Sequence, residues 1–398
     1  MWQLGFFFHE MAFGLLSIFL PLYIVSIGGS LLDIGLMASV ATLSAIPASF
    51  LWGYICDKTR RYKRYILISF FISSTLLYFF TITRDIDLLM TLYVVMAVFH
   101  VAHEPPKNVL IAELYSRKEW EKSFAFYEGF TEVGWLIGLV MGVFVSFLVF
   151  NSTITLLICS SLNFLAFLLS LFLLSDPLII FERRLVHIKK GIDFTCRSIT
   201  IASKLLDGFL TTKSLVKENL ALFCSGLVFF AFATSTLFTP LPIFLSQKLG
   251  LATSMVYAVY VLNSGAGAVG YFLLDKRLKL HEEKTHLQRV LLLRSTLAFL
   301  LAIFAIGIQA VFPFALILVL MGFTYALYHV CVLSLSMELI PAGKAGLFDA
   351  FVGLGSASGA YLGPYIAQTF SFTYTFIISG VAFLLAYVPL RLHLKRSS

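Results

Sequence analysis

Ionisable side chains stand inside several long apolar stretches of this sequence. They carry carboxylate, imidazole or ammonium groups and occur at His9, Glu10, His100, His103, Glu104, Lys107, Glu128, Glu132 and His329. A charged group at the centre of a bilayer costs roughly 2.5–3.5 kcal/mol on insertion scales, so such groups indicate function. Imidazole titrates near neutral pH, and a buried carboxyl group holds its proton more tightly than an exposed one. This set therefore has the chemistry to bind and release protons.

The spacing of these residues predicts that they meet. Four of them are three, one and three residues apart and share a stripe of one helix: His100, His103, Glu104 and Lys107. Glu128 and Glu132 are four residues apart and share one face of the next helix, where Glu132 is the deepest carboxylate. We predict that proton coupling and the substrate cavity involve six residues: Glu132, Glu104, His103, Glu10, Glu128 and His329.

A structural interpretation of the same residues stays open at this stage. Lys107 would neutralise Glu104 or Glu128, and Glu10 would lie near the lipid headgroups. Residues 100–104 also have the spacing of a metal site, but a hydrogen-bonded polar helix face is the commoner arrangement. No metal ion and no cofactor are predicted.

Composition places most of the chain in lipid. Of the 398 residues, 59% are hydrophobic and 13% are charged, whereas soluble domains carry about 25% charge. The mean hydropathy is +0.93. Only helices and closed barrels satisfy their backbone in lipid, and the apolar runs show no period-two alternation. We therefore predict twelve transmembrane helices at 4–26, 34–56, 65–83, 87–112, 123–149, 152–175, 219–246, 252–274, 290–309, 311–337, 346–369 and 372–392.

Basic residues set the predicted topology. All but four of the 29 Lys and Arg residues lie in alternate connections and in the C-terminal tail, a bias that marks the cytoplasmic side. The net charge of +8 thus belongs to loops, and nucleic acid is not a predicted partner. We predict a multi-pass protein of the cell membrane with both termini in the cytoplasm. Its domains are an N-terminal six-helix bundle (1–175), a cytoplasmic linker (176–218) and a C-terminal six-helix bundle (219–398). The linker is typical of an amphipathic surface helix, with a disordered tether as the alternative.

The two predicted bundles repeat one another. Residues 19–24 match residues 238–243, and Asp57 matches Asp275. Glu113, Gly134 and Gly138 match three residues in the second half: Glu338, Gly359 and Gly363. Parallel repeats around a central axis are a plan of transporters, with the substrate site near the midplane of their interface. The sequence thus predicts an all-α membrane fold of two pseudo-symmetric six-helix bundles.

The connection between predicted helices 2 and 3 carries a more specific motif. Gly53 is followed four residues later by Asp57 and then by a basic cluster with Arg60 and Arg61. This pattern resembles the loop signature of the major facilitator superfamily, and a degenerate copy recurs around Asp275. The resemblance covers nearly the whole chain. It implies the fold, and with the matching helix ends it predicts a gating set of Gly53, Asp57, Arg60, Arg61, Asp275, Glu113 and Glu338.

Glycines spaced by four residues mark predicted helices 5 and 11. They permit close helix contact and lie at Gly134, Gly138, Gly359 and Gly363. The run in helix 5 resembles a signature of the family's proton antiporters, with Trp135 where that signature has Pro. Helix 4 lacks the Arg that the family often carries, and Tyr93 stands near its place.

These features predict a secondary active transporter that moves a small solute by alternating access, through proton-coupled efflux of a drug-like or metabolite substrate. A nutrient-uptake symporter or facilitator is the alternative on the same fold, and a non-transporting membrane receptor is the alternative of another class. The acidic cavity favours cationic or neutral solutes. No HExxH, GxSxG or Walker motif occurs, so no enzyme activity is predicted. The predicted partners are the solute, the lipid bilayer and protons, and the chain is expected to be a monomer.

Overall fold

The computed structural model describes residues 2–114, 120–148, 151–176, 215–274, 283–307, 311–339 and 346–396. These residues form twelve long helices: α1 Leu4–Ser26, α2 Leu31–Thr59, α3 Tyr62–Phe80, α4 Ile86–His100 with its continuation Glu104–Leu114, α5 Trp120–Leu148, α6 Ser152–Leu173, α7 Leu215–Phe238, α8 Thr253–Leu274, α9 Glu283–Gly307, α10 Val311–Leu339, α11 Gly346–Thr369 and α12 Phe372–Arg396. The predicted all-α fold class is confirmed.

The limits of α1 and α11 agree with the sequence prediction, whereas α2 is longer at both ends. Ser30 and Asp33 form a reciprocal capping box that starts α2 three residues early. At the other end Arg60 adopts a left-handed conformation with φ 54° and donates its N–H to the carbonyl of Cys56. Capping at both ends therefore extends the helix beyond its apolar run.

Ten of the helices in the described residues are long and apolar enough to cross a membrane, by length and composition alone. Helices α8 and α11 are not among these ten. Both pack against the opposite half of the molecule: α11 places Gly353 against Ile46 of α2, and α8 places Tyr257 against Gly142 of α5. The chain is a multi-pass membrane protein, and its two less apolar helices lie at the seam between the halves.

Helix packing follows the same pattern in both halves. In the first half α1 packs on α5 and α6, α3 packs on α4 and α6, and α2 packs on α4. In the second half α7 packs on α11 and α12, α9 packs on α10 and α12, and α8 packs on α10. Each contact recurs six helices later, as pseudo-symmetric bundles require. The halves meet through α2 against α11 and α5 against α8, which is again a symmetric pair.

Glycines bring α5 against α1 and α11 against α7. A Cβ on Gly134 would lie 2.6 Å from the carbonyl oxygen of Phe7, and one on Gly138 would overlap the backbone of Met11. In the second half, the same contact forms where Gly359 meets the backbone of Phe232. Gly363 likewise meets Thr236. Only residues without a Cβ let the helix backbones approach this closely.

Two helices are interrupted at prolines. α4 passes through a short 3-10 turn, Val101–His103, immediately before Glu104, Pro105 and Pro106. α7 ends before Pro240 and is followed by the short helix Leu241–Ile243 and a π turn, Phe244–Lys248. Proline lacks a backbone N–H and clashes with the preceding turn, so each interruption has a local cause.

We call the side on which α1 begins the inner side and the opposite side the outer side. Contacts between the halves run from the outer ends to the middle of the helices: Leu32 N–H donates to Gln368 Oε1 at 2.8 Å, and Gly35 packs on Pro364. The largest apolar cluster contains residues of both halves, whereas a separate inner cluster around Phe6 contains residues of the first half alone. Among the described residues, the halves are joined on the outer side.

Parts of the predicted organisation lie outside the described residues. Residues 177–214 of the predicted linker are among them, as is the connection that carries Asp275. The ranges 1–175, 176–218 and 219–398 therefore stay a prediction.

Candidate functional site

A first cavity lies among α1, α4 and α5 of the first half and has a volume of about 110 Å³. Most of the residues that line it are polar: Glu10, Glu104, Lys107, Tyr127, Glu128, Thr131, Glu132 and Trp135. The structure thus brings together the four carboxylates of the predicted site. We call this cavity the acidic pocket.

Lys107 forms ion pairs with two carboxylates of the acidic pocket. Its Nζ lies 2.5 Å from Glu104 Oε2 and 3.5 Å from Glu128 Oε1, and it sits 5.2 Å from the ring centroid of Tyr127. The side chains of Glu104 and Glu128 are 42% and 55% exposed, so water screens both pairs and each contributes about 1 kcal/mol or less. The pairing expected in the structural interpretation is therefore present for these residues.

Glu10 and Glu132 form no ion pair with a described residue. Glu10 lines the acidic pocket. Glu132 is exposed, and it lines both this pocket and the second cavity described below. These two carboxylates therefore differ from Glu104 and Glu128, which both pair with Lys107.

Three imidazoles form a hydrogen-bonded cluster behind the acidic pocket. His9 Nδ1 donates to Asn163 Oδ1 at 2.6 Å, which leaves Nε2 of a neutral ring to accept from His100 Nδ1 at 3.0 Å. His103 Nδ1 donates to the carbonyl oxygen of His100 at 2.5 Å, and its Nε2 lies 3.2 Å from Glu104 Oε1. His103 therefore joins the cluster to the acidic pocket.

The same cluster shows which residues lie close enough together to bind a metal ion. Nitrogen atoms of His9, His100 and His103 lie within 4.8 Å of one another, so these three could hold an ion, rather than the 100–104 set that the spacing suggested. Each ring has a protein partner, and Ser69 adds a hydroxyl 3.2 Å from His103 Nδ1. The contacts satisfy the rings as a polar network.

His329 lies apart from the other predicted residues. It is on α10 in the second half, where Tyr271 Oη and its Nδ1 are 3.1 Å apart and the ring of Tyr325 stacks on it. The structure therefore joins five of the six predicted cavity residues and places the sixth in the opposite half.

Four of the predicted gating residues lie at or near the inner end of α2: Gly53, Asp57, Arg60 and Arg61. No described atom lies within 4 Å of a Cβ built on Gly53, so this glycine makes no close helix contact in this conformation. Near Arg60 and Arg61, Lys63 donates its backbone N–H to Asp176 at 2.8 Å, which ties this connection to the end of α6. Asp275 and the side chains of Glu113 and Glu338 lie outside the described residues.

A second cavity, of about 220 Å³, has walls from both halves of the molecule. From α5 it takes Glu132 and Trp135. From the second half it takes Thr234, Phe238, Asn263, Ser264, Tyr271, Arg294 and Tyr325, among others. Its position between the bundles is the one that the repeat predicts for a solute. We call it the central cavity.

Arg294 is a residue of the central cavity that the sequence did not assign to the site. It is fully buried on α9, donates Nη1 to the carbonyl of Met321 at 2.8 Å, and is surrounded by three aromatic rings 5.0–5.8 Å away, those of Phe230, Tyr325 and Phe383. Arg294 and Lys107 are the two basic residues inside apolar runs. That position was the available signal.

Comparisons with known proteins give the same fold. The chain is similar to the human organic anion transporter MFSD10 (TETRAN), at 15% identity and a TM-score of 0.70 over 98% of this chain and 97% of that one. It is similar to the peptide transporter POT in complex with sulfate, at 14% identity and a TM-score of 0.71 over 99% and 94%. A point mutant of the nucleoside transporter NupG gives 15% and 0.69 over 100% and 99%. No curated protein sequence matches the chain.

These distant structures show the fold alone, whereas a match to a family model shows the family. The model described as Major Facilitator Superfamily matches residues 4–348, which is most of the chain and reaches from α1 into α11. The symmetric packing of the two bundles and the central cavity agree with that match. The chain belongs to the major facilitator superfamily.

Proposed function

We propose that this protein is a secondary active transporter that moves a small solute by alternating access and couples the movement to protons. The observation that carries the proposal is the position of Glu132. It is an exposed carboxylate without an ion pair among the described residues, and it borders both the acidic pocket and the central cavity. A proton on Glu132 and a solute in the central cavity can therefore influence each other directly.

Alternating access is supported by the way the halves meet. Their described contacts run from the outer side to the middle of the helices, and Tyr257 Oη of α8 donates to the carbonyl of Leu15 in α1 at 2.6 Å. This hydrogen bond adds to the packing of α2 on α11 and of α5 on α8, which joins the halves. Rocking of one bundle on the other would break it and open the central cavity outward.

We propose efflux by proton antiport as the first mode, because α5 has glycines along one face and the acidic pocket contains four carboxylates. In this mode a proton leaves Glu132 when a solute binds and is replaced when the solute leaves. Uptake by symport or facilitated diffusion uses the same fold and stays the second candidate, because α4 has Tyr93 rather than an arginine near the position discussed above.

Proton movement in proteoliposomes tests this proposal. A pH dye trapped inside the vesicles reports protons while anionic, neutral and cationic solutes are added outside. We expect at least one solute class to drive a proton flux that Glu132→Gln abolishes. The matched control is Asp87→Asn, an exposed carboxylate at the outer start of α4, which should leave the flux unchanged.

The sign of the flux separates the modes. Protons leaving the vesicles as solute enters indicate antiport, and protons entering with the solute indicate symport. Solute counterflow without any proton flux would leave a facilitator. Equal proton flux in the wild type and in Glu132→Gln would remove Glu132 from the mechanism.

A further inference from the structure

Arg294 is a buried cation without a carboxylate partner among the described residues. Its guanidinium is fully buried, and Nη1 donates to the carbonyl of Met321 at 2.8 Å and lies 3.5 Å from Thr324 Oγ1. Two of its nitrogens, Nε and Nη2, have no hydrogen-bond partner. A buried charge is costly unless it is paired, so a purely structural arginine would be expected to satisfy its whole donor fork.

Aromatic rings hold the guanidinium in place without neutralising it. Phe230, Tyr325 and Phe383 have ring centroids 5.1, 5.8 and 5.0 Å from its central carbon. Such contacts stabilise a cation through the ring faces and do not use its in-plane N–H groups. The rings thus fix the position of a donor fork whose geometry matches a carboxylate.

A second unpartnered polar group lies at the same cavity. Thr234 on α7 lines the central cavity with Arg294, and its buried hydroxyl also lacks a hydrogen-bond partner. Arg294 on α9 and Thr234 on α7, which both line this cavity, thus carry three polar atoms without a hydrogen-bond partner. Two different helices have unmet hydrogen-bonding capacity there, which a bound oxyanion would satisfy.

The opposite wall of the central cavity carries the opposite charge. Glu132 of α5 lines it from the first half, and no ion pair of 4.0 Å or less joins Glu132 to Arg294. The two groups are thus too far apart to neutralise each other directly, yet they border one space of about 220 Å³. A cavity with a cationic end and an anionic end is complementary to a solute that has both charges.

We propose that the central cavity binds a small zwitterion, with its carboxylate on the guanidinium fork of Arg294 and its ammonium group toward Glu132. This inference rests on the proposed transport function and names the substrate class of the same site. Tyr325 and Phe238 supply aromatic surface to the same cavity, which suits an apolar side chain on the solute. The ammonium group competes with a proton for the Glu132 carboxylate, so the assignment is compatible with antiport.

Direct binding to purified protein in detergent tests the inference without requiring transport. Radiolabelled phenylalanine is the probe, and two molecules of nearly the same shape compete with it: 3-phenylpropanoate, which lacks the amine, and phenylalaninamide, which lacks the carboxylate. We expect phenylalanine to bind more tightly than either competitor. A wild-type protein that binds none of the three would overturn the inference.

Variants divide the site into its two ends. Arg294→Gln should weaken phenylalanine and 3-phenylpropanoate by roughly tenfold or more and leave phenylalaninamide within about twofold, because the amide does not use the fork. Glu132→Gln should weaken phenylalanine and phenylalaninamide and spare 3-phenylpropanoate. Equal weakening of all three ligands by Arg294→Gln would show a general packing effect and contradict the assignment.

Two further substitutions keep the test decisive if Arg294→Gln does not fold. Arg294→Met removes the unpaired charge and keeps the apolar stem, so it should fold and still lose carboxylate binding. Arg294→Lys keeps the charge without the fork and should lie between the wild type and Arg294→Met. Carboxylate binding that survives in Arg294→Met would overturn the proposal. Phenylalanine binding without transport would instead count against the proposed function alone.

Discussion

The two halves carry different side chains at positions that the internal repeat makes equivalent. In the first half, helices α1, α3, α4 and α6 contribute His9, Ser69, His100, His103 and Asn163, which form a network of neutral polar contacts. Between 220 and 225 positions later, helices α7, α9, α10 and α12 contribute Phe230, Arg294, Tyr325, Tyr328 and Phe383, which form one cation in an aromatic cage.

The difference lies in how completely each cluster satisfies its own polar atoms. In the first half, His9, His100 and His103 each have a protein partner, and His103 also contacts Glu104 of the acidic pocket. In the second half two nitrogens of Arg294 have none. The imidazole rings of the first cluster thus have hydrogen-bond partners, whereas Arg294 in the second has donors left for a ligand. Under the two proposals above, equivalent positions of the repeat would serve proton exchange in one half and solute binding in the other.

The largest expected effect concerns the close glycine contacts between helices that both halves share. Gly138→Leu and Gly359→Leu place side chains against the backbones of Met11 and Phe232, where α5 meets α1 and α11 meets α7. Because backbone cannot move aside as a side chain can, each variant should lose at least about 3 kcal/mol of stability. Thermal unfolding and the yield of monodisperse protein measure this loss.

The matched control is Gly265→Ala on α8, where no described atom lies within 4 Å of the added Cβ. Alanine should be tolerated there, since glycine inside a helix is less favourable than alanine by roughly 0.5–1 kcal/mol. A large loss for one of the two leucine variants and none for the other would show that the halves are not packed alike.

A smaller effect should separate the two clusters. Asn163→Leu removes the acceptor of His9 Nδ1 in the first half and should cost about 1–3 kcal/mol, because a buried donor is left unsatisfied. Arg294→Met removes an unpaired charge from the second half, where an apolar replacement is often neutral or stabilising. Chemical or thermal denaturation in detergent would compare the two variants with the wild type.

The control for this contrast is Thr296→Ser, a substitution on the exposed face of α9 two residues from Arg294 that should change stability little. A strongly destabilised Arg294→Met beside an unaffected Asn163→Leu would reverse the contrast. Arg294 would then be the structural member of the pair, and the imidazole network would be dispensable for stability.

Much of the fold could be predicted from the sequence because lipid leaves few options for a long apolar run. The limits of α1 and α11 agree with the prediction, and the offset pairs such as Gly138 and Gly363 anticipated where helices approach. The structure starts α2 three residues before the predicted start, because Ser30 and Asp33 cap the helix. Such polar contacts do not appear in a search for apolar runs.

The candidate site was predictable only in part. The helical spacing of Glu128 and Glu132 placed them on one face, and the acidic pocket contains both. Spacing could not bring His9 to His100 of α4 or to Asn163 of α6, since those contacts join residues 91 and 154 positions apart. Nor could it show that Arg294 keeps free donors, because that depends on which acceptors α10 presents.

The smallest expected effect concerns the joint between the halves. Gln368→Ala removes the acceptor of the Leu32 N–H on the outer side, an exposed contact worth about 0.5–1 kcal/mol. This contact exists only while the outer side is closed, so its loss should raise the outward-open population by a factor of roughly two to five. Spin-label distances across the outer ends of α2 and α11 would measure that population. Gln288→Ala, a glutamine on α9, is the control. An unchanged distribution in Gln368→Ala would show that the remaining contacts between the halves keep the outer side closed without this hydrogen bond.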